Sequence, residues 1–317
     1  MPIRSTFTDE QYSRRQNLRG KVPIIIAIVA GILAILGGII VSNMQGIKQE
    51  YYGADKFGIK KIFPTLTDGT EWFANWDDGI ERIVLSGERD PNDIEFIVRG
   101  DGEVIIDGNG VAKMNGETPR MYVSDPARIK KWNNVEVTFY AKRVGEFLKL
   151  SYQGFVVGTR SEHQDVTDET PCLGKTYYGR MTYDGRITFQ KEIVHHVSYS
   201  DTQPEPPLYA WNTPDKQLPK DQWVGIKFIV RTVDNDRHVN LQLYRDMTDG
   251  ANGGSWDKLI EYTDAGGWQQ QGSDIACPGS TPDEVLLDPG TSTFIRNDGI
   301  EEAQYKWFSV REIDPFP

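Results

Sequence analysis

The chain has 317 residues, 38% of them hydrophobic and 11% aromatic, which is enough apolar surface for a sizeable core and excludes wholesale disorder. Its 31 glycines and 17 prolines follow no period, and two cysteines and four histidines are too few for a disulfide-dense or multi-zinc scaffold. A net charge of −11 and a pI near 5.0 argue against a nucleic-acid binder.

In chain order, the first feature is an anchor. Val22 to Val41 is an unbroken run of 20 uncharged residues, about 30 Å long as a helix, the thickness of a bilayer core. The run predicts a membrane helix over 22–44. A cleaved signal peptide would have a shorter apolar region of about 7–15 residues. Residues 1–21 carry Arg4, Arg14, Arg15, Arg19 and Lys21 against Asp9 and Glu10, a net +3 that leaves −14 on the remainder. The positive-inside rule therefore makes 1–21 a cytoplasmic tail and puts the C-terminal region outside a plasma membrane crossed once. Ala27, Gly31, Ala34 and Gly38 share one helix face, a stripe of small residues that suits homodimerisation through the helix.

Residues 45–65 mix Lys48, Glu50, Asp55, Lys56, Lys60 and Lys61 with Gly46, Gly53 and Gly58 and read as a tether. From 66 to 317 short Val-, Ile-, Phe- and Tyr-rich runs alternate with turn residues. Strands are expected near 93–99, 103–114, 120–124, 134–143, 148–161, 176–183, 186–194, 224–232, 238–246, 258–263, 292–296 and 304–313. Loops are expected at 163–176, 200–222, 247–256 and 264–290. No 3.6-residue period persists outside the membrane span, so the outer region is expected to be one large all-β sandwich.

The hairpin around Tyr183-Asp184-Gly185 carries the best local information. A three-residue loop with Gly185 left-handed pairs Thr182 with Arg186, Met181 with Ile187 and Arg180 with Thr188. That register puts Met181, Ile187 and Phe189 on one face and Arg180, Thr188, Gln190 and Glu192 on the other. A two-residue loop would mix the faces, so the hydrophobic pattern selects the bulged turn. In the other hairpin, Val239, Leu241 and Leu243 face one way and Asn240, Gln242 and Tyr244 the other.

Cys172 and Cys277 both lie in loop-like sequence on the side expected to be extracellular, which predicts a disulfide. It would close a 105-residue loop and contribute up to about 4–5 kcal/mol in the chain-entropy model. No metal site is expected, because the histidines lack zinc spacing and His195-His196 would point to opposite faces of a strand. No cofactor is expected; scattered carboxylates and carbonyls leave room for a structural calcium ion.

The strand order, the hairpin Trp223-Val224-Gly225-Ile226-Lys227-Phe228-Ile229-Val230 with Val239-Asn240-Leu241-Gln242-Leu243-Tyr244-Arg245-Asp246, and the strand Lys306-Trp307-Phe308-Ser309-Val310-Arg311-Glu312-Ile313 resemble the concanavalin A-like lectin/glucanase jelly roll over about 70–315. Thr159-Arg160-Ser161-Glu162 is similar to the Arg-Ser-Glu strand of alginate-lyase-type enzymes. The Gln-Ile-His and Tyr-Phe-Lys-Ala-Gly signatures of those enzymes have no counterpart, and the glucanase Glu-x-Asp-x-x-Glu or Glu-x-Asp-x-Glu pair is missing. The resemblance implies a concave sheet that binds or cuts polysaccharide.

A lyase needs a base and a cation beside it; Arg160, Glu162, Arg180, Glu192, His195, His196 and Tyr199 supply those types in one region. Arg180, Gln190, Glu192 and Trp211 are the candidate ligand-binding residues. Trp211, Trp256 and Trp268 lie in Pro- or Gly-rich loops where a sugar ring could stack, the alternative being that they anchor those loops in the core. The expectation is a membrane-anchored cell-surface protein that recognises polysaccharide or glycan, and no nucleic acid. Its rivals are a polysaccharide lyase or glycoside hydrolase, and a non-catalytic structural or adhesive envelope protein.

Overall fold

The computed structural model describes residues 49–316 except 148, 196–197, 203–208, 212–216, 269–270, 273–276 and 278–283, with backbone alone for 198–202 and 271–272. The chain divides into two units between Glu50 and Tyr51, and the second, Tyr51–Pro317, is compact. The tail 1–21 and the expected membrane helix 22–44 lie outside the described residues. Among the described residues no helix is long and apolar enough to cross a membrane.

The second unit is a sandwich of two antiparallel nine-stranded sheets. Edge to edge, the first runs Asp257–Asp264, His238–Asp246, Val224–Val233, Val135–Gly145, Glu302–Glu312, Ala112–Asn115, Glu103–Ile106 and Arg82–Leu85, with Glu71–Phe73 also on Glu302–Glu312. The second runs Gln271–Gly272, Ser198–Thr202, Ile187–Val194, Thr176–Thr182, Gly154–Ser161, Ser292–Asp298, Arg120–Val123, Asp93–Arg99 and Arg89–Asp90. One core fills the space between them. Phe96, Phe139, Met181, Phe189, Leu241 and Phe308 are among its fully buried members.

The bulged-turn register is the one observed. Met181 pairs with Ile187 and Arg180 with Thr188. Gly185 sits at φ 85°, a conformation that costs glycine nothing, and Thr182 N donates to Arg186 O at 3.0 Å. Met181, Ile187 and Phe189 enter the core, as the alternation requires. The expected strand 103–114 is instead two strands. Asp107 Oδ1 accepts from the backbone N of Asn109 and Val111, an Asx turn that reverses the chain. The expected strand 148–161 begins only at Gly154, because Leu150–Gln153 closes a turn.

The expected tether 45–65 is packed over much of its described length. Ile59, Ile62 and Phe63 are buried against Tyr140, Ile229, Tyr244, Trp256 and Ile313 on the outer face of the first sheet. A charged group clamps them there. Glu136 is fully buried and accepts from the backbone N of Ile62 and Phe63 through Oε2. Its other contacts are Lys227 Nζ at 2.7 Å and Arg311 Nη2 at 3.0 Å.

Candidate functional site

The outer face of the second sheet presents its side chains in rows, because residues paired across neighbouring antiparallel strands project to the same side about 4.8 Å apart. In one row Arg99 pairs with Arg120, Arg120 with Arg296, Arg296 with Val156, and Val156 with Arg180. Four half-buried arginines thus lie in register across five strands, a span of about 19 Å. Asp298 sits beside two of them, 2.7 Å from Arg296 Nε and 3.7 Å from Arg180 Nη2. Arg180 also donates to Tyr152 O. Among the described residues no carboxylate pairs with Arg99 or Arg120, and Arg120 Nε is buried without a hydrogen-bond partner.

The next row is aromatic: Ile97, Tyr122, Phe294, Gly158, Tyr178 and Gln190. The Tyr122 and Phe294 rings are 4.6 Å apart and those of Phe294 and Tyr178 5.8 Å. Gly158 is required beneath them, since a Cβ there would lie 2.6 Å from the Phe294 ring. The Arg296 guanidinium lies 5.7 Å from the centre of the Tyr178 ring, within cation–π range.

At the far end of this face Glu192 pairs with Thr176, and the short turn His163–Asp165 brings His163 to it. Glu192 is fully buried. Its Oε2 accepts from the Tyr178 hydroxyl and its Oε1 lies 2.7 Å from His195 Nδ1. His163 Nδ1 meets the Tyr122 hydroxyl at 2.9 Å, while its Nε2 lies 3.8 Å from Glu192 Oε2 with no hydrogen-bond partner. Burial, helped by the nearby Arg120, His195 and Arg296 charges, pushes His163 down to about 2, so its ring is neutral at physiological pH. Burial also raises the Tyr122 hydroxyl well above its ordinary value. Among the described residues, His163, Glu192 and His195 are the group of three potential metal ligands close enough to share an ion, their donor atoms within 4.8 Å of one another.

The expected site residues divide accordingly. Arg180, Gln190 and Glu192 share the face, as the register requires. However, Arg180 and Glu192 belong to opposite ends of it: Arg180 pairs with Thr188, four residues from Glu192, or about 13 Å along the strand. Nor is Glu192 open to solvent, because Tyr178 and His195 satisfy it in a buried setting. Arg160 does not join them. It adopts φ 52° at an irregularity in the pairing with Ser292–Asp298. Its buried guanidinium donates to Asn133 O, Leu286 O and Thr232 Oγ1. No ion pair to Glu162 forms among the described residues; the two residues line a cavity of about 600 Å³ with Lys131, Lys175, Glu284 and Asp288. Burial lowers Arg160 to about 10.

Trp211 is not a stacking platform. It is 1% exposed and donates from Nε1 to Thr182 O at 3.0 Å. Trp256 and Trp268 are buried too, so all three loop tryptophans are anchors. Polar composition of a loop does not determine where its tryptophan goes; the hydrophobic gain of burial does. His196 lies outside the described residues. For Tyr199 only the backbone is described, paired with Glu192. Cys172 and Cys277 are joined, with their Cα atoms 5.5 Å apart. Among the described residues no group of three or more Asp and Glu side chains brings its oxygens within 4.8 Å of one another.

Sequence reasoning missed His163, Tyr122, Tyr178 and the arginine row. The signal for the row was present as Arg99, Arg120 and Arg296 at strand ends, but their alignment depends on pairing between strands far apart in sequence.

No protein-family model matches the chain, and no curated protein does. Similar solved structures include the receptor-binding domain of botulinum neurotoxin mosaic serotype C/D, at 12% identity over 76% of this chain and 49% of that one, with a TM-score of 0.38. A sialidase matches at 8% identity over 66% of this chain and 17% of its own, TM-score 0.28. Winged bean acidic lectin, solved with methyl-α-D-galactose, matches at 12% identity over 76% and 98%, TM-score 0.39. The chain therefore spans about half of the neurotoxin domain and less than a fifth of the sialidase. At these identities and TM-scores the likeness carries no argument about what the rows bind.

Proposed function

We propose that the sandwich recognises an acidic glycan, one bearing carboxylate or sulfate groups, at the cell surface. The observation that supports this is the cross-strand row Arg99, Arg120, Arg296 and Arg180. Like charges directly opposite one another destabilise a sheet, and guanidinium forks match carboxylate and sulfate geometry. Such a row is readily explained by an anionic ligand that relieves the repulsion. The aromatic row beside it is buried, Tyr122 at 1% and Tyr178 at 0% exposure, so contact with the ligand falls to the half-buried arginines. In this reading the helix over 22–44 anchors the chain, with 1–21 in the cytoplasm and the sandwich outside.

The test is calorimetry of the full chain with uronate- or sulfate-bearing oligosaccharides and with neutral ones. Acidic ligands should bind and neutral ones should not, with affinity falling as salt rises. Arg120→Ala should weaken binding by about 10–150-fold, the worth of a hydrogen bond to a charged group. Equal affinity for neutral oligosaccharides, or full affinity in the variant, would sink the proposal. For the topology, protease added to intact cells should remove a C-terminal tag and spare an N-terminal one; the opposite pattern refutes the orientation.

A lyase reading meets an obstacle at Tyr178, the tyrosine beside the Arg296 cation, because it is fully buried and its hydroxyl donates to Glu192. Ultraviolet absorbance of unsaturated products during incubation with an acidic glycan would establish it, and its absence would leave recognition alone.

A further inference from the structure

We propose that His163, Glu192 and His195 bind a single first-row divalent metal ion, with the donor set of two imidazoles and one carboxylate selecting Zn²⁺. The site stands independently of the glycan-recognition role.

Three observations converge on it. The donor atoms lie within 4.8 Å of one another. A tetrahedral zinc ion with bonds of about 2.0–2.1 Å holds its donors about 3.3–3.4 Å apart. His163 Nε2 stands 3.8 Å from Glu192 Oε2 and His195 Nδ1 2.7 Å from Glu192 Oε1, so the two imidazoles approach the two oxygens of one carboxylate at distances that bracket the zinc spacing. The second observation is an uncompensated atom. His163 is 5% exposed, and its Nε2 is buried without a hydrogen-bond partner and directed at the carboxylate. Orphaned buried nitrogens are costly, and a metal bond would satisfy this one. The third is the outer ring of bonds. The second nitrogen of His163 is held by the Tyr122 hydroxyl, and the Glu192 carboxylate by the Tyr178 hydroxyl. Such partners fix the orientation of ligating side chains in metal sites.

Charge points the same way. Glu192 is fully buried, and a buried carboxylate costs several kcal/mol unless a cation compensates it. Among the described residues, the two histidines are its ion-pair partners. Two nitrogen donors out of three disfavour calcium, which takes six to eight oxygens. The ion would tie the turn His163–Asp165 to the end of strand Ile187–Val194, beside the Cys172–Cys277 bridge, and would leave a fourth coordination position for water or a ligand group.

The full chain in detergent, stripped with chelator, should take up one Zn²⁺ per molecule in equilibrium dialysis. Ca²⁺ at the same concentration should not compete. X-ray absorption at the zinc edge should show two imidazoles in the ligand shell, a result that depends on no variant folding. Tyr122→Phe, which keeps the ring and removes the bond to His163 Nδ1, should weaken binding about 10–100-fold. His163→Gln should abolish tight binding, while His238→Gln, on an exposed hairpin end, should leave it unchanged. No bound zinc, a shell without imidazole, Ca²⁺ binding of equal strength, or full affinity in a folded His163→Gln protein would each overturn the site.

Discussion

Replacing Glu136 by Gln should be the most damaging single change on the outer face of the first sheet. The carboxylate serves two cations and two backbone donors at once: Lys227 and Arg311 on its flanks, and the N–H groups of Ile62 and Phe63 above. All three charged side chains are 0–1% exposed. Removing one partner of a buried pair leaves an uncompensated charge and costs about 3–5 kcal/mol. For a domain of this size each kcal/mol moves the melting temperature about 2–4 °C, so Glu136→Gln should lower it by about 6–20 °C. The pH dependence follows with a definite sign. Burial opposes the Glu136 charge most, but Lys227 and Arg311 outweigh it and hold the carboxyl below its ordinary value of 4.5. Burial draws Lys227 downward as well, so the cluster is held by one carboxylate's attraction for two cations rather than by any gain to the lysine. A carboxyl depressed in the folded state contributes stability that is fully present above its unfolded value and lost as pH falls through the folded one. Urea melts of wild type between pH 7 and pH 3 should therefore steepen below about 4.5, and the Gln variant should lose that part of the slope. A folded Glu136→Gln protein melting within about 2 °C of wild type would refute the clamp.

Two further outcomes are expected. Non-reducing peptide mapping should recover Cys172 linked to Cys277, and the double Cys→Ser variant should lose up to about 4–5 kcal/mol; free alkylation of both in the untreated protein would show the bridge to be wrong. Trp211→Ala should cost about 3–5 kcal/mol as a core truncation while the folded fraction keeps its glycan affinity, whereas selective loss of affinity without destabilisation would restore Trp211 as a binding residue.

Local pattern made much of the second sheet legible, and long-range pairing made the site illegible. The Thr182–Arg186 register could be read because turn length and hydrophobic alternation both bear on a few adjacent residues. The strands Glu71–Phe73 and Arg82–Leu85 escaped notice because three or four residues carry too little alternation to stand out from loop. Arg160 was misplaced for a different reason. Alternation puts it on one face with Glu162, but its positive φ breaks the two-residue period, and no composition signal marks such a residue. His163 was visible as a histidine but not as a ligand, since its partners arrive from another loop and another strand. Residues 45–65 read as a tether because their charges mask three apolar side chains, Ile59, Ile62 and Phe63, that supply the burial.

The two sheets differ in what their outer faces carry, and the difference is the basis of the proposed recognition. On the first sheet, Ile59, Ile62 and Phe63 cover the apolar patch around Tyr140, Ile229 and Tyr244, which removes that patch from solvent. On the second sheet the same position holds the arginine and aromatic rows. If those arginines served stability, Arg120→Ala would cost what a buried hydrogen-bonded cation is worth. The geometry says otherwise: among the described residues the Arg120 side chain makes one hydrogen bond, to Thr118 O at 3.3 Å, leaves Nε unsatisfied, and faces Arg99 and Arg296 directly across the sheet. Relief of like-charge pairing, at about 0.2–1 kcal/mol per contact, should offset the lost bond of about 0.5–1.5 kcal/mol. Arg120→Ala should then melt within about 1 kcal/mol of wild type or slightly above it, while its affinity for acidic oligosaccharide collapses. That pairing of unharmed stability with lost binding marks a residue kept for its ligand. A variant destabilised by more than about 2 kcal/mol that still binds normally would assign the row to the fold instead.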